Sequence, residues 1–533
     1  MKNSLLILAF TCSVGYSHGQ QTFAHLYDGV TSFMYNLTEL EGGNLFVGLG
    51  RTRAVTRLDA QGFVIGTHSY WADQTSPLTG LGAIRRYADN EYLFTGGARG
   101  DTCADPGTNS TLSFSPVLGK MDSMGNVIEL HQYVLNDGCQ NTCGDVSVTS
   151  DGGAVTWGYR SDFFAFKVDA AMMPVWARHF ANNGGFQFIK ELPSGDLLAG
   201  INMDTAGAVV ARMDANGEFL WCKSYIRPKG MIHDAVILSD DDFIITGYTD
   251  SINISLFDPL PGTFQPKLFM MKLDGMGEVQ WCRGFASNTN RWYTRQWSRI
   301  QPTLDGNFVL LATLGQPNSN FFYRPFLMKT DQNGDSLWTR SMAADNYALR
   351  TRDLIAHSDG GFAFTGSVWG TLPDLNSSLA FVFKTDNEGY LSCVERPYPV
   401  QIVDLFPTDS SFVLTSVDGA TRSPAYLNDS IFDPFAVYDA CEIILNTVTY
   451  TFSTKMRVYP NPTTGHFTVQ FQDPLQAESY YSVYDTMGKL LFQRRLPTGA
   501  TQEEMDLTGF SPGTYVLRFT DRDGVCYERV VLE

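Results

Sequence analysis

Positive charge is scarce in this sequence: 38 Lys and Arg stand against 56 Asp and Glu in 533 residues, a formal net charge of −18. Such a chain does not neutralise a phosphate backbone, which excludes general nucleic-acid binding and leaves the charge as a matter of solubility. Charged residues of both signs make up only 18% of the chain, while 44% is apolar. A disordered, collagenous or coiled-coil protein is therefore excluded. No run of about 18 apolar residues occurs, so no transmembrane segment is expected. Cysteine is sparse, at 9 residues, far below the density of a disulfide-built scaffold. Abundant instead are 49 Gly and 70 aromatic residues, 37 of them Phe.

The first residues read as a removable export signal. Met1-Lys2-Asn3-Ser4 is a short basic start, Leu5 to Phe10 begins an apolar stretch, and Ser17-His18-Gly19 places small residues ahead of a cleavage site between Gly19 and Gln20. Export would permit disulfides as local staples, with Cys139, Cys143, Cys393 and Cys441 as candidates and Cys393–Cys441 as the one pairing suggested. The Cys139-x3-Cys143 spacing lacks the second Cys or His pair of a zinc site, so no metal and no cofactor is expected.

One unit recurs along the chain. Its second half appears as Arg212-Met213-Asp214-Ala215-Asn216-Gly217-Glu218-Phe219-Leu220-Trp221-Cys222, as Lys272-Leu273-Asp274 through Trp281-Cys282, and as Lys329-Thr330-Asp331 through Trp338. Weaker copies start at Arg57, Lys120, Lys167 and Lys384. Its first half is Asp151-Gly152-Gly153-Ala154-Val155-Thr156-Trp157-Gly158, repeated from Asp359 to Gly366. In the fourth unit, alternating stretches 186–191, 197–201, 208–213 and 218–224 flank Gly- and Asp-containing turns, so each unit is four short strands. Asp accepts its own backbone amides in such turns and Gly supplies positive φ, which makes these residues scaffold rather than calcium ligands. Seven four-stranded units without helical periodicity predict an all-β protein, a seven-bladed β-propeller over 20–395. Residues 22–27 resemble a fourth strand and would complete the last blade. Residues 396–457 read as a divergent half-repeat and linker, with 400–414 resembling another first half, so eight blades stay open as an alternative.

From Val458 a different pattern begins: Val458-Tyr459-Pro460-Asn461-Pro462-Thr463-Thr464-Gly465, then Tyr484-Asp485-Thr486-Met487-Gly488-Lys489, then Ser511-Pro512-Gly513-Thr514-Tyr515. Its alternation and turns make a small antiparallel β-sandwich over 458–533. Order and spacing resemble the type A C-terminal sorting domain of the type IX secretion system. That resemblance implies a Gram-negative cargo carried through an outer-membrane translocon to the cell surface or beyond. It also implies removal of the domain by a sortase-like peptidase, with the cut between 446 and 457. Tyr459, Pro460, Asn461, Pro462, Gly465, Gly488, Gly513 and Tyr515 carry the motif.

Ligands of a propeller meet the loops that join second to third strands and blade to blade. Here 286–299 reads as one long loop, with Arg291, Trp292, Tyr293, Arg295, Trp297 and Arg299 in a chain otherwise short of cations. Tyr323, Arg352 and Trp369 stand in neighbouring blades. Trp176, Trp221, Trp281 and Trp338 recur at one repeat position and read as packing between blades. Aromatic faces beside Arg forks stack a sugar or clamp a carboxylate, which points to a binding module for an acidic glycan or a protein ligand. A polysaccharide-active enzyme, sialidase-like hydrolase or lyase, is the alternative, and a structural surface component a third. The stretch 150–157 misses a sialidase Asp-box by one residue, and no HExxH, GxSxG or P-loop occurs. No catalytic residue is assigned.

Overall fold

The computed structural model describes residues 20–439 and 456–533 apart from connecting stretches. These are 28–33, 50–53, 72–77, 101–112, 136–142, 160–162, 181–183, 204–206, 226–229, 240, 250–267, 288–292, 316–322, 343–347, 370–378, short gaps between 392 and 436, 472, 476–478, 486–489 and 522–523. The export signal and its residue Gly19, with Cys139, Arg291, Trp292, Cys393, Cys441 and Gly488, lie outside the described residues. The chain divides into two compact units, Met1–Ala440 and Cys441–Glu533.

In the first unit the repeats fold as expected, one sheet each. The fourth consists of Gly184–Glu191, Leu197–Met203, Gly207–Met213 and Phe219–Tyr225, every neighbour antiparallel. The seventh is completed from the other end of the chain: Phe23–Tyr27 pairs with Ala380–Thr385 in the register Phe23↔Lys384 to Tyr27↔Ala380. First strands of successive blades touch, including that of blade 7 with that of blade 1, so the seven sheets close into a β-propeller.

The turns show why the repeat is written as it is. In all seven units the Asp ending the third strand accepts two backbone amides of its own turn, as Asp214 Oδ1 does from Asn216 and Glu218, both at 2.9 Å. Gly217 then sits at φ +79. A Cβ there would lie 2.8 Å from the Trp176 ring of the preceding blade, so the glycine serves both the turn and the close approach. Trp221 covers Gly277, Trp281 covers Gly334 and Trp338 covers Gly389 in the same way. In blades 3 to 7 the basic residue two before this Asp reaches back to the acid of the first turn, as in Lys167–Asp151 at 2.6 Å, Arg212–Asp196 at 2.7 Å and Lys329–Asp305 at 2.7 Å, whereas Lys120 of blade 2 pairs with Glu129 at 2.8 Å. The core is accordingly a series of apolar layers between blades; Phe163, Phe180 and Phe186 meet at ring distances of 4.8 and 5.1 Å. Each such buried ring contributes about 1.5–3 kcal/mol.

Residues 395–439 depart from the expected half-repeat. They form no eighth blade; they run backward around the ring and add a fifth strand to the outer edge of each sheet. Glu395–Pro397 pairs with blade 6, Val400–Asp404 with blade 5 and Asp409–Ser411 with blade 4. Val417–Asp418, Ala420–Pro424 and Asn428–Phe432 follow on blades 3, 2 and 1. The last, Val437–Asp439, pairs with the N-terminal strand Phe23–Tyr27 in blade 7. A fourth strand exposes a row of unpaired amides and carbonyls, and that edge, rather than a new sheet, is what the segment satisfies. Cys143 is a free thiol buried at the start of its strand, pushed up to about 12 by burial. Of the disulfide candidates Cys143 is thus a thiol, and burial in the layer shared with Leu118 and Phe166 is what holds it.

The second unit is a sandwich. One sheet joins Met456–Tyr459, His466–Phe471 and Gln502–Asp506; the other joins Leu490–Leu496, Ser479–Asp485, Gly513–Asp521 and Gly524–Leu532. Phe467, Val469, Tyr481, Val483, Leu517 and Phe519 fill the space between.

Candidate functional site

Every first strand of the propeller carries a register shift against its second strand, among them Cys143/Asp145, Ile232/Asp234, Gln296/Arg299 and Thr351/Asp353. A bulge re-aims the side chain that follows it; the residue closing the shift is charged in blades 3, 5, 6 and 7, and in blades 2 and 4 Arg85 and Lys190 come one and two residues after it. Read by blade from 2 to 7, the charges alternate: Arg85, Asp145, Lys190, Asp234, Arg299, Asp353. Arg85 bridges Asp145 at 2.8 Å and Asp353 at 3.3 Å; Lys190 meets Asp234 at 2.7 Å and Arg299 lies 3.5 Å from Asp353. Strict alternation cannot close on an odd number of blades. The neutral member is blade 1, whose Leu37 amide donates to Asp353 Oδ2 at 3.0 Å.

The surroundings hold these charges in place. Burial disfavours the charge on Asp234, yet Lys190, Arg299 and the Ile300 amide keep its carboxyl below the usual range. Burial likewise opposes Arg85, and Asp145 and Asp353 outweigh it, raising its pKa. Next to Asp234, His233 is buried and accepts the Ser298 N–H on Nδ1 at 3.0 Å. Burial first, and Arg299 second, push its pKa down to about 3, so it is neutral.

The six charged groups line a cavity of about 540 Å³ inside the ring. Its wall also holds Gln187, Gln301, Ser147 and Thr38, and it extends to Glu41, Gly42 and Ser358 at the turns joining first to second strands. Among the described residues no group of His, Cys, Asp and Glu suits a metal ion.

The candidates named from sequence divide between places. Arg299 lines the cavity. Tyr293, Arg295 and Trp297 belong with it to the first strand of blade 6, Tyr293–Pro302, and not to a loop; for these three and Trp369 the backbone alone is described. The strand extends this far because Tyr293 and Thr294 find partners in Gly315 and Leu314. Tyr323 opposes the same Gly315 from the other side, is buried, and carries the Arg350 guanidinium 4.3 Å from its ring centroid. Trp369 pairs with Ala348, and the Arg352 carbonyl accepts from Arg299 Nε at 3.3 Å. Backbone positions thus gather Tyr293, Tyr323, Arg350 and Trp369 at the rim of blades 6 and 7, at the opposite strand ends from the turns that bound the cavity. Arg85, Asp145, Lys190, Asp234 and Asp353 were missed. A signal existed: Asp145, Arg299 and Asp353 each stand six residues before the acid of the first turn, Asp151, Asp305 and Asp359.

In the sandwich, the motif from Tyr459 to Gly465 ties the first turn to the last strand. Asn461 Oδ1 accepts the Val531 amide at 2.9 Å, Thr463 N–H donates to Val531 at 2.8 Å and its carbonyl accepts from Glu533 at 2.9 Å. Gly465 has φ +136, and a Cβ there would lie 2.4 Å from the Thr508 methyl. Tyr459, Pro460 and Pro462 are exposed, as is Gly513, whereas Tyr515 is buried with its hydroxyl donating to the Ser511 carbonyl. Residues 457–533 match the family model of the secretion system C-terminal sorting domain. This stretch is a type IX secretion sorting domain. The sorting domain marks the chain as secreted cargo, bound for the cell surface or the extracellular space. No curated protein matches the chain. Solved structures similar to it include a protein of unknown function from Bacteroides caccae, 11% identical at a TM-score of 0.33, covering 60% of this chain and 93% of that one. An inactive variant of virginiamycin B lyase from Staphylococcus aureus with quinupristin is 9% identical at 0.41, covering 68% and 99%. A streptogramin B lyase is 10% identical at 0.40, covering 68% and 98%. These likenesses carry no argument about activity.

Proposed function

We propose that the protein is a binding propeller delivered to the cell surface by its sorting domain, and that its ligand is an acidic glycan or a protein, met at the rim of blades 6 and 7. The observation that carries this reading is the Arg350 guanidinium stacked 4.3 Å from the Tyr323 ring, with Tyr293 and Trp369 at the same strand ends. Planar cations beside aromatic faces suit carboxylates and sugar rings alike. The test is an acidic-glycan array on the full chain with Trp297→Ala and Arg295→Ala alongside. Binding that both variants weaken supports the site; binding that neither weakens removes it, and release of reducing ends would mark a polysaccharide-active enzyme instead. Removal of the sorting domain by a sortase-like peptidase within 446–457 belongs to the same reading, and the C-terminal mass of the surface protein checks it.

A further inference from the structure

The cavity inside the ring has a chemistry unlike that of the rim, and we propose that it is a second site, for a neutral saccharide of roughly one or two rings. A volume of about 540 Å³ lies in the range of small-ligand sites, about 300–1,000 Å³. Charge decides the class. Arg85, Lys190 and Arg299 each face a carboxylate already. An anionic ligand would have to displace Asp145, Asp234 or Asp353, and would leave a partly or wholly buried carboxylate without its partner. A cationic ligand meets the same obstacle from the other sign. A neutral molecule leaves the ion pairs intact and hydrogen-bonds to the amides and hydroxyls between them.

Sugar hydroxyls both donate and accept, so their site needs donors and acceptors side by side. The wall supplies them as planar groups: the amides of Gln187 and Gln301 stand among the guanidinium and carboxylate pairs. Ser147 spends its single proton on the Ile189 carbonyl at 2.6 Å and Thr38 spends its own on Ile84 at 2.6 Å. Both oxygens therefore keep lone pairs for a ligand hydroxyl. Leu40 and Ile355 add apolar wall for the CH face of a sugar ring.

This site does not depend on the acidic ligand at the rim. Calorimetric titration of the full chain with glucose, galactose, mannose, N-acetylglucosamine, maltose and cellobiose tests it, with glucuronate and sialic acid in parallel. Saturable one-to-one binding of at least one neutral sugar is expected. Gln187→Ala and Gln301→Ala should each weaken it about tenfold, the effect of losing one good hydrogen-bonded contact. Both leave the ion pairs in place, so the thermal midpoint should hold, and Arg295→Ala should leave neutral-sugar binding unchanged. The proposal is overturned if no neutral sugar binds at millimolar concentration, if both Gln variants bind as the parent does, or if glucuronate displaces the bound neutral sugar.

Discussion

Single residues carry two kinds of constraint in this propeller, backbone and charge. Gly217 and Gly195 both hold positive φ, +79 and +88, but only the first lies under a neighbouring indole; a Cβ at Gly195 meets nothing within 4 Å. Gly195→Ala should cost about 1–2 kcal/mol, the price of a left-handed alanine. Gly217→Ala should cost clearly more, because Trp176 must also move; paired urea melts check the difference. His233 makes a pH test. Its folded pKa of about 3 lies below the unfolded value of about 6.5. Between those values the unfolded chain binds the proton and the folded chain does not, so stability falls as pH drops from about 6.5 toward 3. The slope is at most about 1.4 kcal/mol per pH unit. His233→Asn keeps an acceptor for the Ser298 amide and removes the titration, so its stability should fall less steeply over pH 6 to 4.

At the scale of elements, the belt of residues 395–439 is the unexpected part. Its strands pair with only part of each fourth strand, as Asp409–Ser411 does with Lys223–Tyr225. Replacing the belt with a flexible linker of equal length should expose seven edges and lower the thermal midpoint by at least about 5 °C. Hydrogen exchange should quicken at Lys223–Tyr225 and Arg283–Ser287, the paired segments, and not at the inner strands. The blades themselves were readable because the strand period, the Asp-x-x-Gly turns and the recurring Trp are local features. The belt was not: its segments of two to five residues pair with partners that nothing in their own composition names. The run from Tyr293 to Arg299 misled for a related reason, since its aromatics and arginines satisfy both a loop and an irregular strand, and only Gly315 and Leu314 opposite decide between them.

For the whole molecule, the sorting domain governs destination. Deleting residues 457–533 should leave the propeller in the periplasm, as cell fractionation would show, whereas surface delivery of the truncated chain would contradict its role as the export signal. The Gly465→Val change should act like the deletion, since the side chain would meet Thr508 and unfold the sandwich. The sequence alone determined what repeats and what travels: seven strand–turn units, the N-terminal strand that completes the seventh, and a terminal motif with its own turns. These are legible because each is a short-range pattern of residue types. Only the tertiary structure decided how the ring is bound and what lines its channel. The belt, the alternating ring of Arg85, Asp145, Lys190, Asp234, Arg299 and Asp353, and the cavity they enclose join residues from different blades. Ring closure brings such residues together by geometry, and spacing along the chain carries no record of it.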